Sequence, residues 1–196
     1  MDWHLFISIF LLIFVAELPD KTAFATLLMA TRGNPRAVFV GVAGAFVIQT
    51  VVAVLFGSAF GLLPHKWVFL SAAFLFFAFA ATTWMRKEEK AKGDDSITPD
   101  LSFGAVAWKA FLVIFIAEWG DITQLATASL QAKFHAPWTL LISAILALWA
   151  VTGIAVFAGH RLKTLVHPRT LRRISAVAFV GVGAYFTSQA IPLFRG

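Results

Sequence analysis

The chain has 196 residues, of which 60% are hydrophobic and only 13% are charged. Its mean hydropathy is +0.83. A soluble domain of this length cannot bury so much apolar surface, because about 25% of the residues in soluble proteins are usually charged. The composition therefore predicts an integral membrane protein.

The net charge of +6 would indicate nucleic-acid binding in a soluble protein. In a membrane protein it is typical of basic cytoplasmic loops, so we predict no nucleic-acid partner. The absence of Cys excludes disulfides, thiolate metal sites and cysteine nucleophiles. The first four residues lack the basic region of a signal peptide, so we expect the first apolar stretch to remain in the mature protein.

Six apolar stretches are long enough to cross a bilayer as helices, which takes about 20 residues. In chain order they cover residues 3–31, 37–63, 67–85, 110–132, 136–159 and 174–194. Four of them contain no charged residue. The first carries Glu17, Asp20 and Lys21 near its middle, and the fourth carries Glu118 and Asp121.

The polar stretch 86–109 separates the six predicted spans into two groups of three. We therefore predict a first three-helix repeat over 1–85, a cytoplasmic loop over 86–109 and a second three-helix repeat over 110–196. The odd-numbered loops hold 12 basic residues, against 3 on the opposite side of the membrane. Basic loops stay in the cytoplasm, so both termini should lie on the non-cytoplasmic side.

The two charged spans repeat each other after 101 residues. Ten of 17 residue pairs are identical between FLLIFVAELPDKTAFAT, which starts at Phe10, and FLVIFIAEWGDITQLAT, which starts at Phe111. Because each half has an odd number of spans, the second half must enter the membrane in the opposite orientation. We predict an all-α integral membrane protein with six transmembrane helices in two inverted three-helix repeats, and such repeats commonly bind substrate at their interface.

The paired acids are the candidate site. A carboxylate at the bilayer centre costs about 2.5 to 3.5 kcal/mol on insertion scales, so such residues usually serve a function. Glu and Asp three residues apart share one helix face. We expect Glu17, Asp20, Glu118 and Asp121 to surround one negative site, of which Lys21 neutralises at most one charge. Pro19 and Gly120 occupy equivalent positions between the acids, and each can interrupt its helix.

The chemistry of the donors indicates the ligand. Carboxylates, the hydroxyls of Thr22 and Thr123 and the carbonyl of Gln124 are hard oxygen donors, which suit Mn²⁺, Ca²⁺ or Mg²⁺. Crowded carboxylates in a medium of low dielectric also bind protons, and a divalent cation displaces them. Binding of the metal ion and binding of protons should therefore be coupled.

Several alternatives remain beside this interpretation. The acids could form a buried polar network that holds helices together. Lys21 either tunes the site or pairs with Glu17, and Gln49 either lines an ion path or makes an interhelical hydrogen bond. An intramembrane hydrolase would need a nucleophile, a metal-binding His set or a His-acid arrangement, and no His lies beside the acids. An amino-acid exporter would need fewer carboxylates.

At these residues the sequence resembles the GDT-type cation/proton antiporter family, which includes Golgi calcium/manganese transporters and bacterial manganese exporters. The family is marked by two copies of E-x-G-D-[KR]-[ST]. The copies here are ELPDKT, which starts at Glu17, and EWGDIT, which starts at Glu118. Pro19 replaces the first motif's Gly, and Ile122 replaces the second motif's basic residue.

The resemblance implies a transporter rather than an enzyme. It exports a divalent cation, for which Mn²⁺ is the first expectation and Ca²⁺ the alternative, in exchange for protons. No cofactor is expected beyond the transported ion. The partners are that ion, protons and the lipid bilayer, and a homodimer is left open. The similarity to bacterial manganese exporters implies the bacterial inner membrane.

Overall fold

A computed structural model describes residues 2–18, 21–85, 101–119, 121–158 and 168–195. Within these ranges the secondary structure is entirely helical. A π-helical turn, Ile154–Ala158, continues the seventh helix. The α-helices are α1 Trp3–Glu17, α2 Lys21–Arg32, α3 Pro35–Phe60, α4 His65–Met85, α5 Phe103–Ala117, α6 Ile122–Phe134, α7 Pro137–Gly153, α8 Pro168–Ala190 and the short α9 Pro192–Arg195.

Three helical segments among the described residues are long and apolar enough to cross a membrane. They are α3, α4 and the segment Pro137–Phe157, which joins α7 to its π-helical turn. The shorter apolar helices are α1, α5 and the Ala176–Ala190 part of α8. These lengths and compositions are those of an all-α membrane protein. The arrangement as six spans in inverted repeats stays a prediction.

Both charged spans are broken at their acidic motifs, as the sequence predicts. The stretch 3–31 is divided between α1 and α2, and the stretch 110–132 is divided between α5 and α6. In the second break the amide of Asp121 donates to the carbonyl of Glu118 at 3.2 Å, which closes a tight turn. Asp121 then has an extended backbone and precedes the first turn of α6. Pro19, Asp20 and Gly120 lie outside the described residues.

The fourth predicted span begins earlier than expected. Helix α5 begins at Phe103 because Ser102 caps it, with its hydroxyl oxygen accepting from the amide of Ala105 at 3.4 Å. Residues 103–109 of the predicted polar stretch 86–109 are therefore helical, while the division into two repeats joined by a cytoplasmic loop stays a prediction. The single charge of Lys109 ends an apolar stretch but does not end a helix, since long basic side chains extend toward polar surroundings.

The two halves have the same order of helices. Adding 101 to the bounds of α2 gives 122–133, and the observed α6 is Ile122–Phe134. The same addition to α1 gives 104–118, and the observed α5 is Phe103–Ala117. The halves also pack on each other reciprocally, because α3 contacts α5 and α6, α7 contacts α1, and α4 lies along α8. The broken helix of each half thus packs against a long helix of the other.

Glycines allow α3 to approach the second broken helix closely. A Cβ atom on Gly41 would overlap the carbonyl oxygen of Ala107 in α5, and one on Gly57 would overlap that of Ala128 in α6. The absence of a side chain at these two positions thus allows close helix packing. It fixes α3 directly against the main chain on both sides of the second break.

Candidate functional site

The two glutamates of the repeated motif are buried at the two helix breaks. Glu17 is the last residue of α1 and Glu118 directly follows α5, and each side chain is 3% exposed. Buried carboxylates are costly unless they are hydrogen-bonded or bind a cation. Both positions therefore need compensating partners.

A hydrogen bond joins the two halves at this place. The hydroxyl of Thr22, in the first turn of α2, donates to Oε1 of Glu118 at 2.5 Å. A hydrogen bond from an O–H group is shorter and stronger when the acceptor is a carboxylate than when the acceptor is neutral. Thr22 belongs to the first motif and Glu118 to the second, so residues of both motifs meet in one location.

A small cavity lies on the Glu17 side of this contact. Its volume is about 10 Å³, which is about the space that one water molecule needs. Glu17 and Thr22 both line it, so Thr22 contacts the second motif and also borders the cavity of the first. The wall consists of Glu17, Thr22, Ala23, Thr26, Phe46, Leu148, Val151 and Thr152.

Two glutamines hold the second break in place. The side-chain amide of Gln124 donates to the main-chain carbonyl of Glu118 at 3.1 Å, and that of Gln49 donates to the carbonyl of Phe115 at 3.0 Å. In a continuous helix the Phe115 carbonyl would accept from the amide of Trp119, which here donates to Ile116. Gln49 thus supplies a donor to a carbonyl that has no partner within its own helix, because the helix ends there.

These contacts decide one of the open alternatives. Gln49 makes an interhelical hydrogen bond, from α3 to α5. For Gln124 the sequence predicts a carbonyl donor to the ion, whereas its amide group binds the main chain of Glu118. The role of Gln124 as an ion ligand stays a prediction.

The other predicted site residues are described only in part. Asp121 is the N-terminal cap residue of α6, but its carboxylate makes no capping hydrogen bond, and both it and Thr123 are half-buried. Asp20 lies outside the described residues, and only the main chain of Lys21 is described. No group of three His, Cys, Asp or Glu side chains that could hold a metal ion occurs within the described ranges. The convergence of four acids stays a prediction.

Two hydroxyl side chains of the cavity wall, those of Thr26 and Thr152, are not predicted from the sequence. A signal for Thr26 exists, because it follows Thr22 by four residues and therefore shares its helix face. Adding 101 to its number gives Thr127, which is also buried. No comparable signal marks Thr152, since the equivalent position in the first half is Val51.

Comparison with known proteins finds relatives that match most of this chain. The chain is 32% identical to the GDT1-like protein sll0615 of Synechocystis over 185 residues, which cover 86% of this chain and 89% of that protein. It is 29% identical to the chloroplastic GDT1-like protein 1 of Oryza sativa subsp. indica, over 96% of this chain and 61% of that protein. It is 28% identical to the chloroplastic protein PAM71 of Arabidopsis thaliana, over 95% of this chain and 57% of that protein. The chain thus spans about three fifths of these two chloroplast proteins.

No solved structure matches the chain. The family model described as divalent cation/proton antiporter GDT1 matches residues 5–91 and 106–192. These ranges include both acidic motifs and nearly all of the described helices. The glutamates of both motifs, Glu17 and Glu118, are buried. The chain therefore belongs to the GDT1 family of divalent cation/proton antiporters.

Proposed function

We propose that this protein exports Mn²⁺ from the cytoplasm in exchange for protons. The transport site consists of the carboxylates of Glu17, Asp20, Glu118 and Asp121, with Thr22 as a further oxygen donor. The observation that carries the proposal is the hydrogen bond from Thr22 to Glu118 beside the Glu17 cavity. It links residues of both motifs at the breaks of their helices.

The proposal includes the architecture of two inverted three-helix repeats, residues 1–85 and 110–196, joined by a cytoplasmic connection. Three findings support it. The family model matches two ranges, 5–91 and 106–192, that start 101 residues apart. The helices follow the same order in both halves, and each broken helix packs on the opposite half. A site at the interface of such repeats can be reached from either side of the membrane in turn.

Exchange follows from the chemistry of buried carboxylates. A carboxylate in a medium of low dielectric is costly to ionise unless a cation or hydrogen-bond donor compensates it. A bound divalent cation supplies that compensation, so metal binding releases protons from the site. Protons that enter from the other side then displace the metal. One set of carboxylates serves both ions, and no separate proton path is required.

The ion is a choice among hard divalent cations. Oxygen donors suit Mn²⁺, Ca²⁺ and Mg²⁺, and the similarity to bacterial manganese exporters favours Mn²⁺. A Ca²⁺/proton antiporter of the same family is the alternative. An amino-acid exporter is disfavoured, because a cavity of about 10 Å³ beside Glu17 has no room for an organic substrate.

Transport by purified protein in proteoliposomes tests the proposal. Vesicles are loaded with Mn²⁺ and a pH-sensitive dye, and the membrane potential is clamped. Release of Mn²⁺ should acidify the lumen, and an imposed pH gradient should drive Mn²⁺ uptake. Parallel vesicles with Ca²⁺ or Mg²⁺ identify the preferred ion. Mn²⁺ flux that ignores the pH gradient would contradict antiport, and stronger coupling to Ca²⁺ would favour the alternative.

The proposed orientation, in the bacterial inner membrane with both termini on the non-cytoplasmic side, has a separate test. The natural sequence contains no Cys, so single cysteines can be labelled without background. In intact spheroplasts an impermeant thiol reagent should label Gly196→Cys and should not label Ala91→Cys. The reverse pattern would overturn the orientation.

A further inference from the structure

We propose that Thr152 of α7, together with Thr26 of α2, binds the transported cation beside Glu17 and sets the ion selectivity. This inference rests on the proposed transport function, and it adds two ligands that lie outside the repeated motif. Both hydroxyl side chains line the Glu17 cavity. Both are buried, with Thr26 at 1% and Thr152 at 2% exposure.

The cavity wall contains four polar and four apolar residues. One carboxylate and three hydroxyl side chains come from α1, α2 and α7, namely those of Glu17, Thr22, Thr26 and Thr152. The remaining wall consists of Ala23, Phe46, Leu148 and Val151. Buried hydroxyls that share a cavity with a carboxylate offer oxygen ligands where the surrounding side chains offer none.

The hydrogen bonds of two threonines determine what these oxygens can bind. The Thr152 hydroxyl donates to the carbonyl of Leu148 at 2.7 Å, and the Thr22 hydroxyl donates to Glu118. A hydroxyl has one proton and two lone pairs. Because both protons are already used, the two oxygens can offer only lone pairs to the cavity. Lone pairs beside a carboxylate select a cation.

The size of the cavity adds a requirement for dehydration. A space of about 10 Å³ does not hold an ion with its complete water shell. Protein oxygens must therefore replace some of the water ligands, and neutral hydroxyls do so without adding charge. Mg²⁺ gives up its water reluctantly, whereas Ca²⁺ accepts varied sets of oxygen ligands. A hydroxyl-lined cavity should thus discriminate against Mg²⁺.

A second observation places Thr152 at an unusual segment of its helix. The π-helical turn Ile154–Ala158 begins two residues after it and packs against α2. Such turns occur frequently at functional sites in helices. The wider turn lies next to the helix that carries Thr22 and Thr26.

The test compares Thr152→Val with Thr50→Val. Thr50 is also buried and also donates to the carbonyl four residues earlier, that of Phe46 at 2.7 Å, but it does not line the cavity. Both variants lose a hydroxyl from a helix with little change in volume. The measurements are the KM for Mn²⁺ in proteoliposomes, inhibition by Mg²⁺, and Mn²⁺ affinity of the purified protein.

We expect Thr152→Val to raise the KM for Mn²⁺ about tenfold, the lower end of the range for lost metal-site contacts, and to weaken discrimination against Mg²⁺. Thr152→Ser, which retains the oxygen, should restore both values, and Thr50→Val should resemble the natural protein. Thr26→Val provides a second, independent variant with the same expected direction. Natural values in both cavity variants would overturn the inference and indicate that the cavity holds water only.

The design separates this inference from the proposed function. If the natural protein shows no proton-coupled Mn²⁺ exchange, the proposed function itself fails. If exchange occurs and the cavity variants keep the natural KM and ion preference, only the roles of Thr152 and Thr26 fail. Reduced thermal stability with an unchanged KM would also contradict them, because it assigns the hydroxyls to packing.

Discussion

The two helix breaks carry the same motif but have different surroundings. Glu118 accepts a hydrogen bond from Thr22, and its main-chain carbonyl accepts one from Gln124. Gln49 binds the preceding turn. Glu17, in contrast, borders a cavity whose other polar side chains are threonines. The second break thus holds its carboxylate by a hydrogen bond, and the first borders a cavity of about 10 Å³.

Residues outside the motif produce this difference. Under the 101-residue shift, Gln124 corresponds to Ala23 and Gln49 corresponds to Ala150. Thr152 corresponds to Val51 in the same way. A duplicated sequence therefore need not form two equal half-sites, because the neighbouring helices supply different partners to each copy.

The largest expected effect tests whether the unequal halves still act as one site. Glu17→Gln and Glu118→Gln each remove a charge without changing shape. Each should lower the Mn²⁺ transport rate at least about 100-fold, since loss of a charged ligand exceeds the 10- to 100-fold cost of losing a residue that orients a ligand. The measurement is initial flux in proteoliposomes.

Asp2→Asn is the matched control for these variants. Asp2 is an exposed acid that caps α1, and Asn caps a helix equally well. Its flux should equal that of the natural protein. Substantial flux in only one of the two glutamine variants would show that the carboxylate removed in that variant is not required. The half that keeps its glutamate would then carry the ion alone.

The contact between the halves gives the next largest effect. Thr22→Val removes the donor to Glu118 and a polar part of the cavity wall, so it should lower transport about 10- to 100-fold. Thr22→Ser keeps the donor and should retain most activity. Thr123→Val, the equivalent change at a half-buried position, should have a smaller effect. Equal losses at Thr22 and Thr123 would contradict the asymmetry.

The close approach of α3 to the second break predicts a loss of stability. Gly41→Ala places a methyl group against the carbonyl of Ala107, so α3 must move, at a cost of about 1 to 3 kcal/mol. Gly181→Ala introduces the same group into open space and should stabilise by about 0.4 to 1 kcal/mol. Thermal unfolding in detergent measures both. Equal melting temperatures would argue against direct main-chain contact at Gly41.

The smallest effect concerns the helix end before Glu118. Gln49→Leu removes the donor to the Phe115 carbonyl and should cost about 1 kcal/mol of stability, the usual net value of a hydrogen bond. Ala150→Leu is the comparison variant. Ala150 stands at the equivalent position of the second half, and its side chain has no hydrogen bond to lose. A reduced melting temperature for Gln49→Leu is expected in thermal unfolding. An unchanged melting temperature, with unchanged transport, would show that the hydrogen bond of Gln49 does not stabilise the helix end.

Much of the fold follows from local signals in the sequence. Apolar stretches locate α3, α4 and α7, since no charged residue interrupts them. Pro19 and Gly120 predict the two helix breaks, because each weakens its helix between the two acids of its motif. The start of α5 was not predictable from hydropathy, since Lys109 masks a helix that Ser102 caps seven residues earlier.

The candidate site was predictable only where the sequence repeats itself. Repetition marks Glu17 and Glu118, and both are buried at the breaks. Thr152 and the role of Gln49 depend on packing between distant helices, which no local pattern records. Gln124 illustrates the same limit, because the sequence shows an oxygen donor but not which end of its amide faces the main chain.

In the proposed mechanism both helix breaks contribute to one cation site. The most direct measurement is the number of Mn²⁺ ions that bind per purified chain, from electron paramagnetic resonance titration of the natural protein, Glu17→Gln and Glu118→Gln. We expect one tightly bound ion in the natural protein and loss of that ion in either variant. Two ions in the natural protein, with one retained in each variant, would show two independent sites and contradict the claim.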